Sequence, residues 1–163
     1  MMAAMSTRVS SDEERVRALE QRYPDENFEA IDVTIALGRA AATIERLLAQ
    51  RIDEYELTPV SLQLLISVML LDGGPTDLTT LGEQIRVTKA NVSLLLARLE
   101  RQRLVKREIE PADGRRIRVG LTRRGRSLLD ELVPLARDTM EEGLRPLSKR
   151  DRSELRRIAR RIG

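Results

Sequence analysis

Between residues 104 and 122 the hydrophobic period of the chain changes, and this change constrains the fold more than any other feature. On either side of the stretch, apolar residues recur three and four apart, as a helix face requires. Within it they alternate. In LVKREIE, residues 104–110, Val105, Arg107 and Ile109 share one face, and Lys106, Glu108 and Glu110 share the other. In RIRVGLT, residues 116–122, Ile117, Val119 and Leu121 alternate with Arg116, Arg118 and Gly120. Alternation on both sides of PADGR predicts a two-stranded hairpin with a long tip, bent at Asp113-Gly114.

The rest of the chain reads as helices. Residues 1–10 read as a disordered tail. A short helix follows over 11–22, with Ser10 or Ser11 as its cap and acids in its first turn. After Pro24 a long helix runs over 28–52. Its apolar content, including Ile31, Ile35, Ala42 and Ile52, exceeds what a surface helix needs. Either it is a core helix, or it also packs against a second subunit. Thr58 caps the next helix, with Pro59 at its first position, and this nearly all-apolar helix reaches about Leu71. Residues 72–75, DGGP, read as a turn. A short helix over 78–85, capped by Asp77 or Thr79, leads through Arg86-Val87 to Thr88. Thr88 caps a helix that reaches about Gln102. Beyond the hairpin, a helix over 123–143 carries Pro134, which is expected to kink it. Ser148 caps a last helix with a stripe of Leu155, Ile158 and Ile162. A short helix, a tight turn, a second helix and a hairpin make a winged helix-turn-helix. The expected fold is mainly α with a small β-hairpin wing, flanked by N- and C-terminal dimerisation helices. The expected layout is a tail at 1–10, dimerisation helices at 11–57, a DNA-binding winged helix at 58–122 and further dimerisation helices at 123–163.

Composition removes several function classes. The 163 residues include no Cys and no His. Disulfide frameworks, Ser-His-Asp and Cys-His catalysis and the common zinc sites therefore lack their groups. No G-x-S-x-G, P-loop or G-x-G-x-x-G occurs, so neither an enzyme nor a cofactor is expected. Aromatics make up 2% and Trp is absent, which argues against a platform that stacks single-stranded bases. MMAAMSTRVS lacks the apolar core of a signal peptide. The longest apolar run, LLISVMLL at 64–71, is far short of a membrane span. The chain is expected to be soluble and cytoplasmic, with no membrane partner.

Charge is segregated. Residues 1–85 carry 7 basic and 15 acidic side chains, residues 86–126 carry 13 and 4, and residues 127–163 carry 9 and 7. The middle block, at +9, is a footprint for a polyanion. Within it, the helix from Thr88 places Val92, Leu95, Leu96 and Leu99 on a core face. The opposite face carries Ala90, Leu94, Ala97 and Arg101, flanked by Asn91, Ser93 and Arg98. Lys89 stands at its N-terminus, whose free N–H groups suit a phosphate. Small residues allow close approach to base edges, and Asn and Arg can make bidentate base contacts. In the hairpin, Arg115 projects beyond Asp113-Gly114, where a guanidinium suits a narrow minor groove. Asp113 makes sense as a partner that holds a neighbouring Arg in direction, and Arg116 flanks the backbone. The candidate DNA contacts are thus Thr88, Lys89, Ala90, Asn91, Ser93, Leu94 and Arg98 from the helix, with Asp113, Arg115 and Arg116 from the wing.

The run VTKANVSLLLARLERQRLVKREIEPADGRRIRVGLTRRG resembles the signature region of the MarR family of bacterial winged-helix regulators. The matching features are LE followed by LVKR, the D-x-R of the wing (Asp113, Arg115), and the LT-x-x-G that closes it (Leu121, Thr122, Gly125). The resemblance extends more loosely from about Phe28 to the C-terminus. It implies a homodimer with interleaved terminal helices and two wings on a pseudo-palindromic double-stranded DNA operator. In many members it also implies release by a small aromatic or phenolic effector. Two places where the family commonly has Gly hold Arg86 and Arg103. A left-handed backbone there would cost about 1–2 kcal/mol each. The N-terminal helix is similar to that of the urate-responsive branch, but the Trp of that branch's ligand site has no counterpart. The reading is a ligand-responsive transcriptional repressor. The alternative is an architectural or protein-interaction winged helix without an effector, and sequence-specific operator binding separates the two.

The wing generates the first prediction. Arg115→Ala should weaken operator binding severely in a gel-shift titration while leaving the melting temperature nearly unchanged. Asp113→Ala should weaken binding too, by loosening the arginine, although simple charge removal predicts the opposite sign. Tighter binding by Asp113→Ala would show that the aspartate does not orient its neighbour.

Overall fold

The computed structural model describes residues 11–109 and 116–162. The expected tail at 1–10 and the expected bend at Asp113-Gly114, with Arg115, lie outside the described residues. The chain divides into two compact units, one ending at Ile44 and one beginning at Glu45.

The smaller unit contains α1 (Ser11–Arg22) and most of α2 (Glu29–Ile52). Asp12, Glu13 and Glu14 occupy the first turn of α1, where carboxylates complement the positive end of the helix dipole. The Asn27 side-chain oxygen accepts the Glu29 N–H at 2.8 Å and opens α2. Along α2, Ile31, Val33 and Leu37 are exposed.

The larger unit is built around α3 (Pro59–Leu71), with Leu62, Leu64, Leu65 and Val68 buried. Thr58 caps it, accepting the Ser61 N–H at 3.2 Å. Against α3 pack α4 (Leu78–Ile85), α5 (Lys89–Arg101) and α6 (Arg123–Gly143). The core takes Leu81 and Ile85 from α4, Val92, Leu96 and Leu99 from α5, and Leu129 and Leu132 from α6. Leu48 and Ile52, from the last turns of α2, join the same core. α6 runs unbroken through Pro134. Proline has no N–H to donate, so the Asp130 carbonyl gains no helical bond from it. Then α7 (Lys149–Ile162) follows with no buried residue, and Leu155, Ile158 and Ile162 are all exposed. Ser148 caps it reciprocally: the Ser148 hydroxyl accepts the Asp151 N–H, and Asp151 accepts the Ser148 N–H at 3.0 Å. The Ser148 hydroxyl also donates to the Asp151 carboxylate at 2.7 Å, and that bond, followed by the one from the Ser148 N–H, holds the Asp151 carboxyl below its usual range.

The sheet has three antiparallel strands in the order β1 (Pro75–Thr76), β3 (Ile117–Leu121), β2 (Val105–Ile109). The hairpin register pairs Val105 with Leu121, Arg107 with Val119 and Ile109 with Ile117, so the expected face-sharing holds. The second strand starts at Ile117, one residue later than expected, and Arg116 precedes it. β1 is a correction. Residues 72–75 read as a turn, yet Pro75 and Thr76 pair with Arg118 and Ile117. Two residues are too few to display alternation, so periodicity cannot find such a strand.

Two glycines fix close approaches. A Cβ at Gly82 would lie 2.5 Å from the Val87 carbonyl oxygen, and one at Gly125 would lie 2.0 Å from that of Leu104. Both oxygens are backbone and cannot swing aside. Gly125→Ala should therefore cost about 1–3 kcal/mol, the range for overpacking. Urea unfolding at fixed protein concentration measures it, and an unchanged midpoint would show that the α6 start can shift freely against Leu104.

Candidate nucleic-acid interface

The tight turn between α4 and α5 is a Schellman motif. Val87 N–H donates to the Gly82 carbonyl at 2.9 Å and Arg86 N–H to that of Glu83 at 3.4 Å. The residue in the left-handed position is Arg86, with φ 58°. Gly82 lets the Val87 backbone close on α4, so α5 leaves the turn on a fixed course. Asp77 caps α4 and accepts the Thr79 and Thr80 N–H groups at 2.8 and 2.9 Å. The Thr80 N–H, then the Thr80 hydroxyl, hold the Asp77 carboxyl below its usual range.

Thr88 caps α5, its hydroxyl accepting the Asn91 N–H at 3.3 Å. Val92, Leu96 and Leu99 are wholly buried, and Leu95 is half-buried against the same core. Thr88, Lys89, Ala90, Asn91, Leu94, Arg98 and Arg101 are exposed, while Ser93 and Ala97 are half-buried. Leu94 is 70% exposed, in keeping with the wheel. Thr88, Lys89 and Asn91 share a shallow notch with Thr79, Glu83 and Arg86. The predicted helix residues therefore converge at the start of α5, with one exception.

The exception is Arg98. Its Nη2 donates to the Glu56 carbonyl oxygen at 2.7 Å, and Gln102 Nε2 donates to the same oxygen at 3.3 Å. Nothing in the sequence points to Glu56, because a backbone acceptor 42 residues away leaves no trace in composition or period. Glu56 follows a single 3-10 turn, Asp53–Tyr55, and sits at φ 55°. Beside it lies a cleft of about 550 Å³ lined by Tyr55, Glu56, Gln102, Arg124 and Glu131. Tyr55 donates its hydroxyl proton to Glu131 at 2.5 Å, and that bond pushes the phenol up to about 12.

The end of α5 is a second Schellman motif. Leu104 N–H donates to the Leu99 carbonyl and Arg103 N–H to that of Glu100, both at 2.9 Å. Arg103 holds the left-handed position at φ 59°. Both expected glycine sites are thus left-handed arginines. In the hairpin, Arg107 faces α5 and pairs with Glu100 at 3.1 Å. Arg116 is exposed at the start of β3. Asp113 and Arg115 fall outside the described residues. Among the described residues no cluster of acidic side chains is placed to hold a metal ion. No single helix among them is long and apolar enough to cross a membrane.

Known proteins share this fold. The MarR family model matches residues 55–116, which span the helix-turn-helix and the first strand of the hairpin. The HTH-type transcriptional repressor NicR of Pseudomonas putida is 29% identical over 102 residues, covering 63% of this chain and 65% of NicR. The chain thus spans just under two-thirds of that relative's length. The structure of Bordetella bronchiseptica BpsR, described for regulation of its DNA binding by 6-hydroxynicotinic acid, superposes with a TM-score of 0.71 at 27% identity. That match covers 80% of this chain and 98% of BpsR. A mutant MarR from E. coli complexed with operator DNA shares the fold, with a TM-score of 0.74 at 20% identity over 85% of this chain and 99% of that one. Residues 55–116 match the MarR family, and the fold is that of MarR-type winged-helix regulators.

Proposed function

We propose that this chain is a homodimeric, sequence-specific double-stranded DNA-binding repressor of the cytoplasm. It recognises a pseudo-palindromic operator and releases it on binding a small aromatic or phenolic effector. The observation that carries the reading is the exposed face of α5. Thr88, Lys89, Ala90, Asn91 and Leu94 stand outward on a helix whose opposite face buries Val92, Leu96 and Leu99. Small and polar side chains around an exposed leucine give a helix that can enter a major groove and read base edges. Ser93 borders the same face, and Asp113, Arg115 and Arg116 would supply the wing. NicR is named a repressor, and BpsR binds DNA under control of 6-hydroxynicotinic acid; both support the function by likeness. Dimerisation rests on exposed apolar residues: Ile31, Val33 and Leu37 on α2, Val133 and Met140 on α6, and the Leu155/Ile158/Ile162 stripe of α7. Covering them calls for a C2 interface well over the ~1,600 Å² of a standard one.

The test is a gel shift on DNA from upstream of the protein's own gene, competed with unrelated duplex. Equal affinity for both would rule out operator recognition. With two copies of the +9 block and roughly 6–10 phosphate contacts, log affinity should fall with log salt at a slope of about −5 to −9. A slope near −1 would place the DNA elsewhere. Sedimentation should give a dimer at micromolar concentration; a folded monomer would contradict the interface.

Leu94 gives a sharper outcome. Leu94→Ala should leave stability within about 0.5 kcal/mol, as at a surface site. It should cost roughly 1–3 kcal/mol of discrimination at an A·T pair, through a lost thymine-methyl contact. Wild type and variant are compared on an operator with that thymine replaced by uracil. Equal losses for the two proteins would show that Leu94 does not read the methyl group.

A further inference from the structure

The Arg98 side chain is committed to the protein itself. Arg98 and Gln102, the residue that caps the C-terminus of α5, are four residues apart in helical backbone, so their side chains rise from the same side. Both donate to one acceptor, the Glu56 carbonyl oxygen, at 2.7 and 3.3 Å. That carbonyl belongs to the residue whose N–H closes the 3-10 turn after α2, at an end where the chain carries partial negative charge and has carbonyls without helical partners. The left-handed φ of 55° at Glu56 turns the chain there, and the Glu56 N–H is bonded to the Asp53 carbonyl at 2.8 Å. The acceptor is therefore held from its own side. A guanidinium reads guanine through two parallel N–H groups, and one terminal nitrogen of Arg98 is already used. The bond fixes the direction of the guanidinium, so its remaining N–H groups cannot turn freely toward a base while the bond holds.

We propose that Arg98 is a positioning residue for DNA recognition. Together with Gln102 it locks the rotation of the recognition helix onto the α2–α3 junction through the Glu56 carbonyl, and it does not read a base. Arg98 lies one turn beyond Leu94 and two turns beyond Asn91. A lock at Arg98 therefore sets the direction in which the whole exposed face of α5 points. The inference rests on the regulator reading above, because the function of the lock is to present that face to DNA.

The experiment has two readouts on the full-length protein. In the free protein, the carbonyl ¹³C shift of Glu56 reports its hydrogen bonding. It should move in Arg98→Ala, return most of the way toward wild type in Arg98→Lys, and stay put in Arg101→Ala. With DNA, operator preference is measured base pair by base pair for each variant. Arg98→Ala should weaken binding about tenfold, the scale of one charge-assisted hydrogen bond. The loss should be uniform, with the preference at every position intact. Arg98→Lys keeps a donor that can reach the carbonyl but not the guanine fork, and it should restore most of the affinity. Relaxed preference confined to one base pair in Arg98→Ala, without rescue by Lys, would make Arg98 a base reader and overturn the proposal. An unmoved Glu56 shift would overturn it as well. If wild type shows no sequence preference at all, the regulator reading fails and this role with it, while the Glu56 shift still reports whether the lock exists.

Discussion

The Leu104 carbonyl joins the parts that matter. It accepts the Thr122 N–H at 3.0 Å, and it sits where a side chain on residue 125 would have to go. The Thr122 hydroxyl donates to the Arg103 carbonyl at 2.7 Å, with that of Leu104 at 3.2 Å, and accepts the Gly125 N–H at 3.0 Å. Leu104 itself ends α5 through its bond to Leu99 and is followed at once by β2. One residue thus fixes the end of the recognition helix, the base of the hairpin and the first turn of α6. The LT-x-x-G motif has a physical content: Thr is the cap that reaches back, and Gly is the absence of a Cβ that would push the helix away. Recognition helix and wing hold their relative placement because one ends and the other begins at this joint.

The two Schellman turns that bracket α5 carry arginine where the left-handed backbone favours glycine. Each costs about 1–2 kcal/mol in strain. At the second turn the buried Leu99 and Leu104 supply the apolar contact that commonly accompanies the motif. The hydrogen bonds of each turn hold the conformation, but glycine would hold it with less strain. What arginine adds is an exposed positive charge at either end of the recognition helix. On the regulator reading, that charge meets phosphate only when DNA is bound, so the strain serves the complex rather than the free fold.

Most elements were legible because each is set by local chemistry. Helix starts follow from Thr58-Pro59, Thr88 and Ser148, each of which caps as its side chain dictates, and of Asp77 and Thr79, both readable as the cap of α4, Asp77 is the one that caps. The hairpin follows from a change of period, and the outward set of Leu94 from the wheel. Contacts at long separation were not legible. The pairing of Pro75-Thr76 with β3 is too short to have a period. The bond from Arg98 to Glu56 uses a backbone oxygen that every residue possesses. Arg107 was readable as sharing the face of Val105 and Ile109, but its pairing with Glu100 became visible only once α5 and β2 were placed together. The net +9 already counts Glu100, so the Arg107 pair leaves it unchanged, and Arg98 keeps its charge while one of its N–H groups is engaged by a neutral carbonyl.

The helix N-termini differ in the charge placed beside them. α1 opens with Asp12, Glu13 and Glu14, and α2 with Glu29 and Asp32, as the positive end of a helix dipole favours. α5 and α6 have no acid in the first turn. α5 begins with Lys89, and α6 with Arg123, Arg124 and Arg126. A cation beside a helix N-terminus is unfavourable by about 0.3–1 kcal/mol at an exposed site, so these positions weaken the free protein slightly. The conflict disappears when an anion stands between the side chain and the N–H groups, because both then face the same opposite charge. A carboxylate at residue 89 would also resolve it, as in α1, but it would fill the anion position from within the chain and repel phosphate. Lysine leaves the position open to an external anion, and the exposed face of α5 places that anion next to the residues that would read the bases.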